Sequence, residues 1–304
     1  MSVKAISLPK KKRNLRVLLP YVLVLPAIIF LCVFTIYPML NLIQLSLYRG
    51  NASNPMKQYM GFQNYITLFT VKQDFIIALK NTAYYTVAVV VLLITMAVLF
   101  AVWMFKDRKL NSIAQTAFFT PHLVASISCA FIWSWLYSSE SYGLFNNVLS
   151  FFGIAPVRWL NDSAYAMNCI VVMNVWKSIG YYALIILSAL KAIPTEIYEA
   201  ATLDNASGFK TFFKITLPML SPQLFMLLIT ITTGSFKVFD SVRIMTNGGP
   251  GRATQVLCMY IYDYAFQRNN TLGIGSAAGV VLMVILMIIT LIDFRGLERK
   301  VHYQ

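Results

Sequence analysis

The chain has 304 residues, of which 58% are hydrophobic and 12% charged, and its mean hydropathy is +0.66. A soluble domain carries roughly a quarter charged residues, so a water-exposed globule is excluded and a bilayer is the solvent that fits. The net charge of +14 raises nucleic acid as a partner, but no basic cluster is interleaved with aromatics in a polar region. Nucleic acid is therefore excluded, and the charge reads as membrane topology.

A spanning helix needs about 20 mainly apolar residues, and charge-free intervals of that length recur along the chain. Lys4, Lys10, Lys11, Lys12, Arg13 and Arg16 precede the first, which runs from Arg16 to Arg49 with Pro20 or Pro26 as the place for a kink. It is too long for a signal peptide and lacks a small-residue cleavage site, so an uncleaved first helix is expected. A polar external loop from Arg49 to Asp74 follows, with a turn at Asn54-Pro55. The second interval spans Lys80 to Lys106 and is closed by Lys106, Arg108 and Lys109; the third spans Leu110 to Ser139. After a Ser-, Asn- and Gly-rich stretch from Ser138 to Ser163 comes the fourth, Tyr165 to Leu190, interrupted only by Lys177.

Lys191, Lys210 and Lys214 flank or occupy the next connection, before a fifth interval from Ile215 to Phe236. The stretch from Thr246 to Asn270 opens on Thr246-Asn247-Gly248-Gly249-Pro250, a turn signal in which Gly248 and Gly249 tolerate positive φ. A sixth interval, Asn269 to Ile292, is followed by Arg295, Arg299 and Lys300. Six alternating spans put all these basic clusters on one face, which the positive-inside rule makes cytoplasmic, together with both termini. The expectation is an all-α integral membrane protein with six transmembrane helices. Its parts are a basic tail (1–16), a first helix with its external loop (17–75), a core (76–295) and a second tail (296–304). The four cysteines, Cys32, Cys129, Cys169 and Cys258, read as inert buried thiols, and His122 and His302 are too isolated for a metal site.

The connection PTEIYEAATLDNASGFKTFFKITLP, Pro194 to Pro218, has its own start and stop signals. Pro194 suits a first helical turn, Glu196 and Glu199 complement the positive end of the helix dipole, and Ala200 and Ala201 have high helix propensity and little bulk. The first helix ends near Asp204-Asn205, Gly208 reverses the chain, and a second short helix carries Phe209, Phe212, Phe213 and Leu217 up to Pro218. Such an element either seats in a groove on a partner protein or lies on the membrane surface.

The spaced set Glu199, Ala200, Ala201, Asp204, Gly208, Ile215, Leu217 and Pro218 resembles the coupling loop of permease subunits of binding-protein-dependent ABC importers, with Asn205 where that loop often has glycine. Gly61-Phe62-Gln63-Asn64-Tyr65 resembles the Gly-x-x-Asn-Tyr segment of the same permeases. From Gly61 onward the likeness is to sugar importers of the maltose-transporter type. It implies the type I ABC importer permease fold, in a bacterial cell membrane, and a second homologous permease as partner. It also implies two ATPase subunits and an extracellular solute-binding protein that delivers a carbohydrate. No G-x-x-x-x-G-K-[ST] phosphate loop occurs. The chain is then not an enzyme, binds no cofactor, and leaves ATP and Mg to the ATPase partner.

The same resemblance places substrate contacts at Asn174, Ser178 and Tyr181, and near Gly234, Ser235, Val238 and Phe239. Ser178, Gly234 and Val238 differ from the maltose-type residues and point to another glycan. Lys177 either snorkels or pairs with Asp240; Asp240 could otherwise meet Lys237 or Arg243. Two alternatives stand beside this reading. One is the same architecture importing glycerol phosphodiesters or another polar solute, for which arginines would be wanted in the cavity. The other is a stand-alone secondary transporter.

Overall fold

The second apolar run becomes a long helix, α4 (Gln73–Met104), whose buried residues Tyr85, Val89, Leu93, Ala97, Ala101 and Met104 form one stripe. A 3.6-residue period presents such a stripe to one neighbour. That neighbour is α8 (Ala166–Lys191), buried on most of its surface, and α5 (Lys109–Leu123) and α12 (Ser221–Phe236) pack around the pair. The computed structural model describes residues 13–105, 109–140 and 142–297. Lys4, Lys10 to Lys12, Lys106, Arg108, Arg299 and Lys300, with most of both tails, lie outside the described residues.

Four helical stretches are long and apolar enough to cross a membrane: Pro20–Leu45, Gln73–Met104, Ala166–Lys191 and Leu272–Arg295. Two bent pairs bring the number to as many as six: Leu110–Leu123 with Ser126–Leu136, bent by 101°, and Gly208–Met219 with Ser221–Phe236, bent by 65°. Neither bend is marked by the charge-free intervals, which run unbroken through both. Prolines stand at or near each break (Pro121, Pro218, Pro222), where the missing donor weakens the helical ladder. In the first span α1 (Arg13–Leu31) continues through Pro20 and Pro26, and a π-helical turn, Cys32–Ile36, joins it to α2 (Tyr37–Leu45). Cys32 on this span is exposed, against expectation, whereas Cys129 and Cys169 are buried.

Lipid is as apolar as the side chains, so helices associate where small residues let backbones approach. A Cβ on Gly180 of α8 would collide with the backbone of Phe118 and Phe119 in α5. A Cβ on Gly273, in α15 (Leu272–Ile292), would collide with the carbonyl of Tyr48. Tyr48 belongs to a two-stranded ribbon, β1 (Tyr48–Arg49) with β2 (Gln58–Tyr59), in which Tyr48 faces Tyr59. The Gly61–Tyr65 segment fastens that ribbon. Gly61 is left-handed at φ +54°, the buried Asn64 donates to the carbonyls of Ser46 (2.8 Å) and Tyr48 (3.0 Å), and the Tyr65 hydroxyl lies 2.6 Å from Ser46 Oγ. Asn64 and Tyr65 begin α3 (Gln63–Thr70), which packs on α15.

The stretch after Thr246 folds back onto the opening turns of α4 and carries α14 (Leu257–Tyr262). Gly248 has φ +81°, but the other left-handed residues of the turn are Asn247, Gly251 and Arg252 rather than Gly249, and Asn270 is left-handed where the stretch ends.

Candidate transport cavity and coupling loop

Asn174, Ser178 and Tyr182 recur at i, i+4 and i+8, so one face of α8 carries all three to a cavity of about 250 Å³. The opposite wall comes from Gly234 and Ser235 at the end of α12, the turn Lys237–Phe239, and Asp240 and Ser241 opening α13 (Asp240–Met245). Tyr85, Val89 and Leu93 of α4 close the back, and Ser126, first residue of α6 (Ser126–Leu136), completes the rim. Asn174 Nδ2 donates to Ser241 Oγ (3.1 Å) and to the carbonyl of Ile170 (3.1 Å). Its Oδ1 accepts no hydrogen bond from a described residue and remains available. Gly234 has open space where a Cβ would stand, which widens the cavity beside it. Hydroxyls, one amide and the rings of Tyr85, Tyr182 and Phe239 are the groups a polyhydroxylated solute can use.

Of the residues singled out in the sequence, Asn174, Ser178, Gly234, Ser235, Val238 and Phe239 come together here. Tyr181 does not line the cavity. It shares its face with Lys177, one turn earlier, and its ring stacks on His122 with centroids 4.3 Å apart and planes 6° from parallel. Tyr182 takes the place expected of it, a choice that the i, i+4, i+8 spacing from Asn174 signals. Ser126 was out of reach of the sequence because the charge-free interval from Leu110 to Ser139 carries no mark of the break that brings it to the cavity.

Lys177 is 8% exposed, and its ammonium donates to the carbonyl of His122 (3.3 Å). This corrects its pairing with Asp240; no ion pair joins Asp240 to Lys177, Lys237 or Arg243, and Arg243 instead meets Asp263 at 3.6 Å. The last carbonyls of a helix have no intrahelical partner, and a cation there opposes the helix dipole. Lys177 thus caps α5 at the break that sets Ser126 at the cavity rim. Lys177→Met is expected to lower the Tm of the purified permease complex by the equivalent of about 1–3 kcal/mol, and Lys177→Arg to retain most of it. Equal melting of all three proteins would show that the cap stabilises nothing.

At the other end of α8 the 194–218 connection folds as expected in outline. α9 (Thr195–Leu203) begins after Pro194, which caps it instead of occupying its first turn. The reversal lies at Asn205 (φ +52°) and not at Gly208, which opens α10 (Gly208–Thr211); Ser207 Oγ caps that helix by accepting from the Lys210 amide (3.3 Å). An asparagine tolerates the left-handed region because its side chain bonds locally. A π-helical turn, Phe212–Thr216, and α11 (Leu217–Met219) then lead into α12, and Tyr198 and Thr216 link the two arms through their hydroxyls (3.3 Å). Glu199, Ala200, Asp204 and Gly208 are exposed, Ala201 is buried, and Ile215, Leu217 and Pro218 are half-buried. Leu203 and Phe209 stand out at 84% and 77% exposure.

Residues 93–303 match the family described as the binding-protein-dependent transport system inner membrane component. The chain is 33% identical over 274 residues to the trehalose/maltose transport system permease protein MalF of Thermococcus litoralis, covering 90% of this chain and 92% of that protein. It is 31% identical over 285 residues to the probable ABC transporter permease protein YurN of Bacillus subtilis, covering 93% and 97%. A crystal structure of a bacterial ABC transporter involved in the import of the acidic polysaccharide alginate contains a chain that matches with a TM-score of 0.84 at 26% identity, over 95% of this chain and 98% of that one. The fold and the relatives define an ABC importer permease. The chain belongs to the binding-protein-dependent transport system inner membrane component family. A stand-alone secondary transporter is thereby set aside.

Proposed function

We propose that this permease carries a sugar or oligosaccharide, delivered by an extracellular solute-binding protein, through the cavity between α8 and α12. The observation that carries this reading is the cavity lining: an open amide oxygen, four serines and three aromatic rings, with a single lysine and a single aspartate. A neutral polyol finds acceptors, donors and ring faces there. A phosphodiester would meet Asp240 with no arginine to hold it, which disfavours the glycerol phosphodiester alternative.

The rest of the machine is inferred from the same family. A second homologous permease pairs with this one, and two ATPase subunits bind ATP and Mg below them. The 194–218 loop lies on the cytoplasmic side with both termini, as the basic residues require. Closure of the ATPases pushes the loops of the two permeases together and opens the cavity outward, and hydrolysis reverses the movement.

Uptake by the reconstituted complex, with its binding protein and a panel of glycans, tests this reading. Asn174→Ala is expected to raise the KM for the accepted glycan about tenfold, as loss of a hydrogen bond or two implies. Transport of phosphodiesters but of no glycan would refute the reading.

A further inference from the structure

At the end of the bundle opposite the 194–218 loop, two cations lie over one aromatic ring and a third reaches the carboxylate that its hydroxyl bonds. Arg268 Cζ lies 4.1 Å and Lys72 Nζ 5.4 Å from the centroid of Tyr264. Tyr264 donates its hydroxyl to Asp74 Oδ2 at 2.8 Å, and Arg252 reaches the same oxygen at 3.9 Å. Burial pushes the Tyr264 phenol above its ordinary range, and the bond to Asp74 adds to that push, so the proton stays on Tyr264. Asp74 is buried and is the one carboxylate that these groups contact directly; Asp263 also feels Arg268 but pairs with a further cation, Arg243. The cluster therefore keeps an excess of positive charge, and no hydrogen bond to a described residue engages the side chain of Lys72, Arg252 or Arg268.

Like charges gathered around one tyrosine–carboxylate pair repel. The backbone nevertheless brings Arg252 to the site in a left-handed conformation, φ +72°. That conformation costs an ordinary residue on the order of 1–2 kcal/mol. Asn81 holds it there by donating to the Arg252 carbonyl (2.9 Å). The Arg252 side chain remains half exposed, and Arg268 is exposed. Beside Arg252, a depression of about 420 Å³ lies between Asn161, Asp162 and Ser163 on one side and Pro250, Gly251 and Ala253 on the other, with Asp162 the one carboxylate in its lining. Spare donors and surplus charge suit acidic groups on a partner surface, and the concavity next to them, with Asp162 in its lining, suits a neutral or hydroxyl-bearing loop of the same partner.

We propose that Lys72, Arg252 and Arg268 are a docking contact for an acidic surface of the solute-binding protein, with a loop of that protein seated in the depression beside Arg252. This rests on the reading above, which turns this end of the bundle outward and makes transport depend on such a protein. Charge complementarity of this kind steers association and sets its salt dependence.

The test titrates sugar-loaded binding protein against the reconstituted transporter and follows uptake. In the parent, the half-saturating concentration should rise with salt. In the Arg252→Gln/Arg268→Gln double variant it should be raised about tenfold at low salt, as two partly exposed charge pairs allow, and should respond weakly to salt. Lys72→Gln, which leaves the Asp74–Arg252 contact in place, should give a smaller rise of the same sign, and Arg268→Lys should stay close to the parent. Saturating binding protein should restore the uptake rate. Unchanged half-saturation and salt slope in both glutamine variants would overturn the proposal. So would a defect confined to carboxylated sugars at saturating binding protein, because the cluster would then serve the cargo. A parent complex that no binding protein stimulates would overturn the permease reading as well, whereas a stimulated parent with unaltered variants overturns this contact alone.

Discussion

Gly180→Val should abolish uptake and leave little stable protein in the membrane. A Cβ at this position would collide with the carbonyl of Phe118, which is helical backbone and cannot swing aside as a side chain would. Overpacking of this kind typically costs about 1–3 kcal/mol, and here several contacts depend on the same approach of α5 to α8. The Lys177 cap on His122, the His122–Tyr181 stack and the placing of Ser126 at the cavity rim all lie within a turn or two of it. Gly180→Ala should act in the same direction with a smaller loss, since its single methyl already meets the carbonyl. The measurements are the thermal unfolding midpoint of the purified complex and sugar uptake by membranes with matched permease content. A valine variant that melts and transports like the parent would mean that α5 does not pack there.

Glu199→Trp should reduce uptake more than tenfold while insertion, thermal stability and binding-protein docking stay intact. Glu199 and Ala200 are exposed on α9, and the tip beyond them presents Leu203 and Phe209 to solvent at 84% and 77% exposure. Covering such side chains is worth on the order of 25 cal/mol per Å² of apolar surface, so the tip is suited to a groove in the proposed ATPase partner. A bulky ring at residue 199 would hold the tip out of that groove without touching the helix bundle. The expected signature is loss of the ATPase stimulation that sugar-loaded binding protein normally produces. Cysteines at Ala200 and Gly208 should crosslink to the ATPase subunit in the parent background. Full coupling in the tryptophan variant would remove residue 199 from the contact, and crosslinks to lipid alone would assign the tip to the membrane surface.

Much of this was legible in the chain because the bilayer imposes simple rules. Charge-free runs of about 20 residues mark spans, and all six intervals correspond to membrane helices or bent pairs. The Gly61–Tyr65 segment and the Thr246–Pro250 turn were visible because glycine, asparagine and proline carry strong backbone preferences. Most of the candidate cavity was reached through the resemblance to maltose-type importers, which named Asn174, Ser178, Gly234, Ser235, Val238 and Phe239.

What escaped reflects interactions between segments distant in sequence. The break at residues 124–125 has a nearby proline, but whether a helix bends by 101° there depends on what satisfies the freed carbonyls, and that is Lys177 on another helix. Tyr181 and Tyr182 are adjacent and chemically alike; the position of α5 decides which ring meets His122 and which meets the cavity. The gathering of Lys72, Arg252 and Arg268 around the Tyr264–Asp74 pair joins residues nearly 200 positions apart, and no local pattern announces it. Composition and periodicity determined that the chain spans a membrane, where its spans lie and which loop has helices of its own, because those follow from each residue's preference for lipid, water or a given backbone conformation. Tertiary structure decided the break in the third span, the lining of the cavity and the surplus charge at the far end, because these depend on which polar groups meet once the helices have packed.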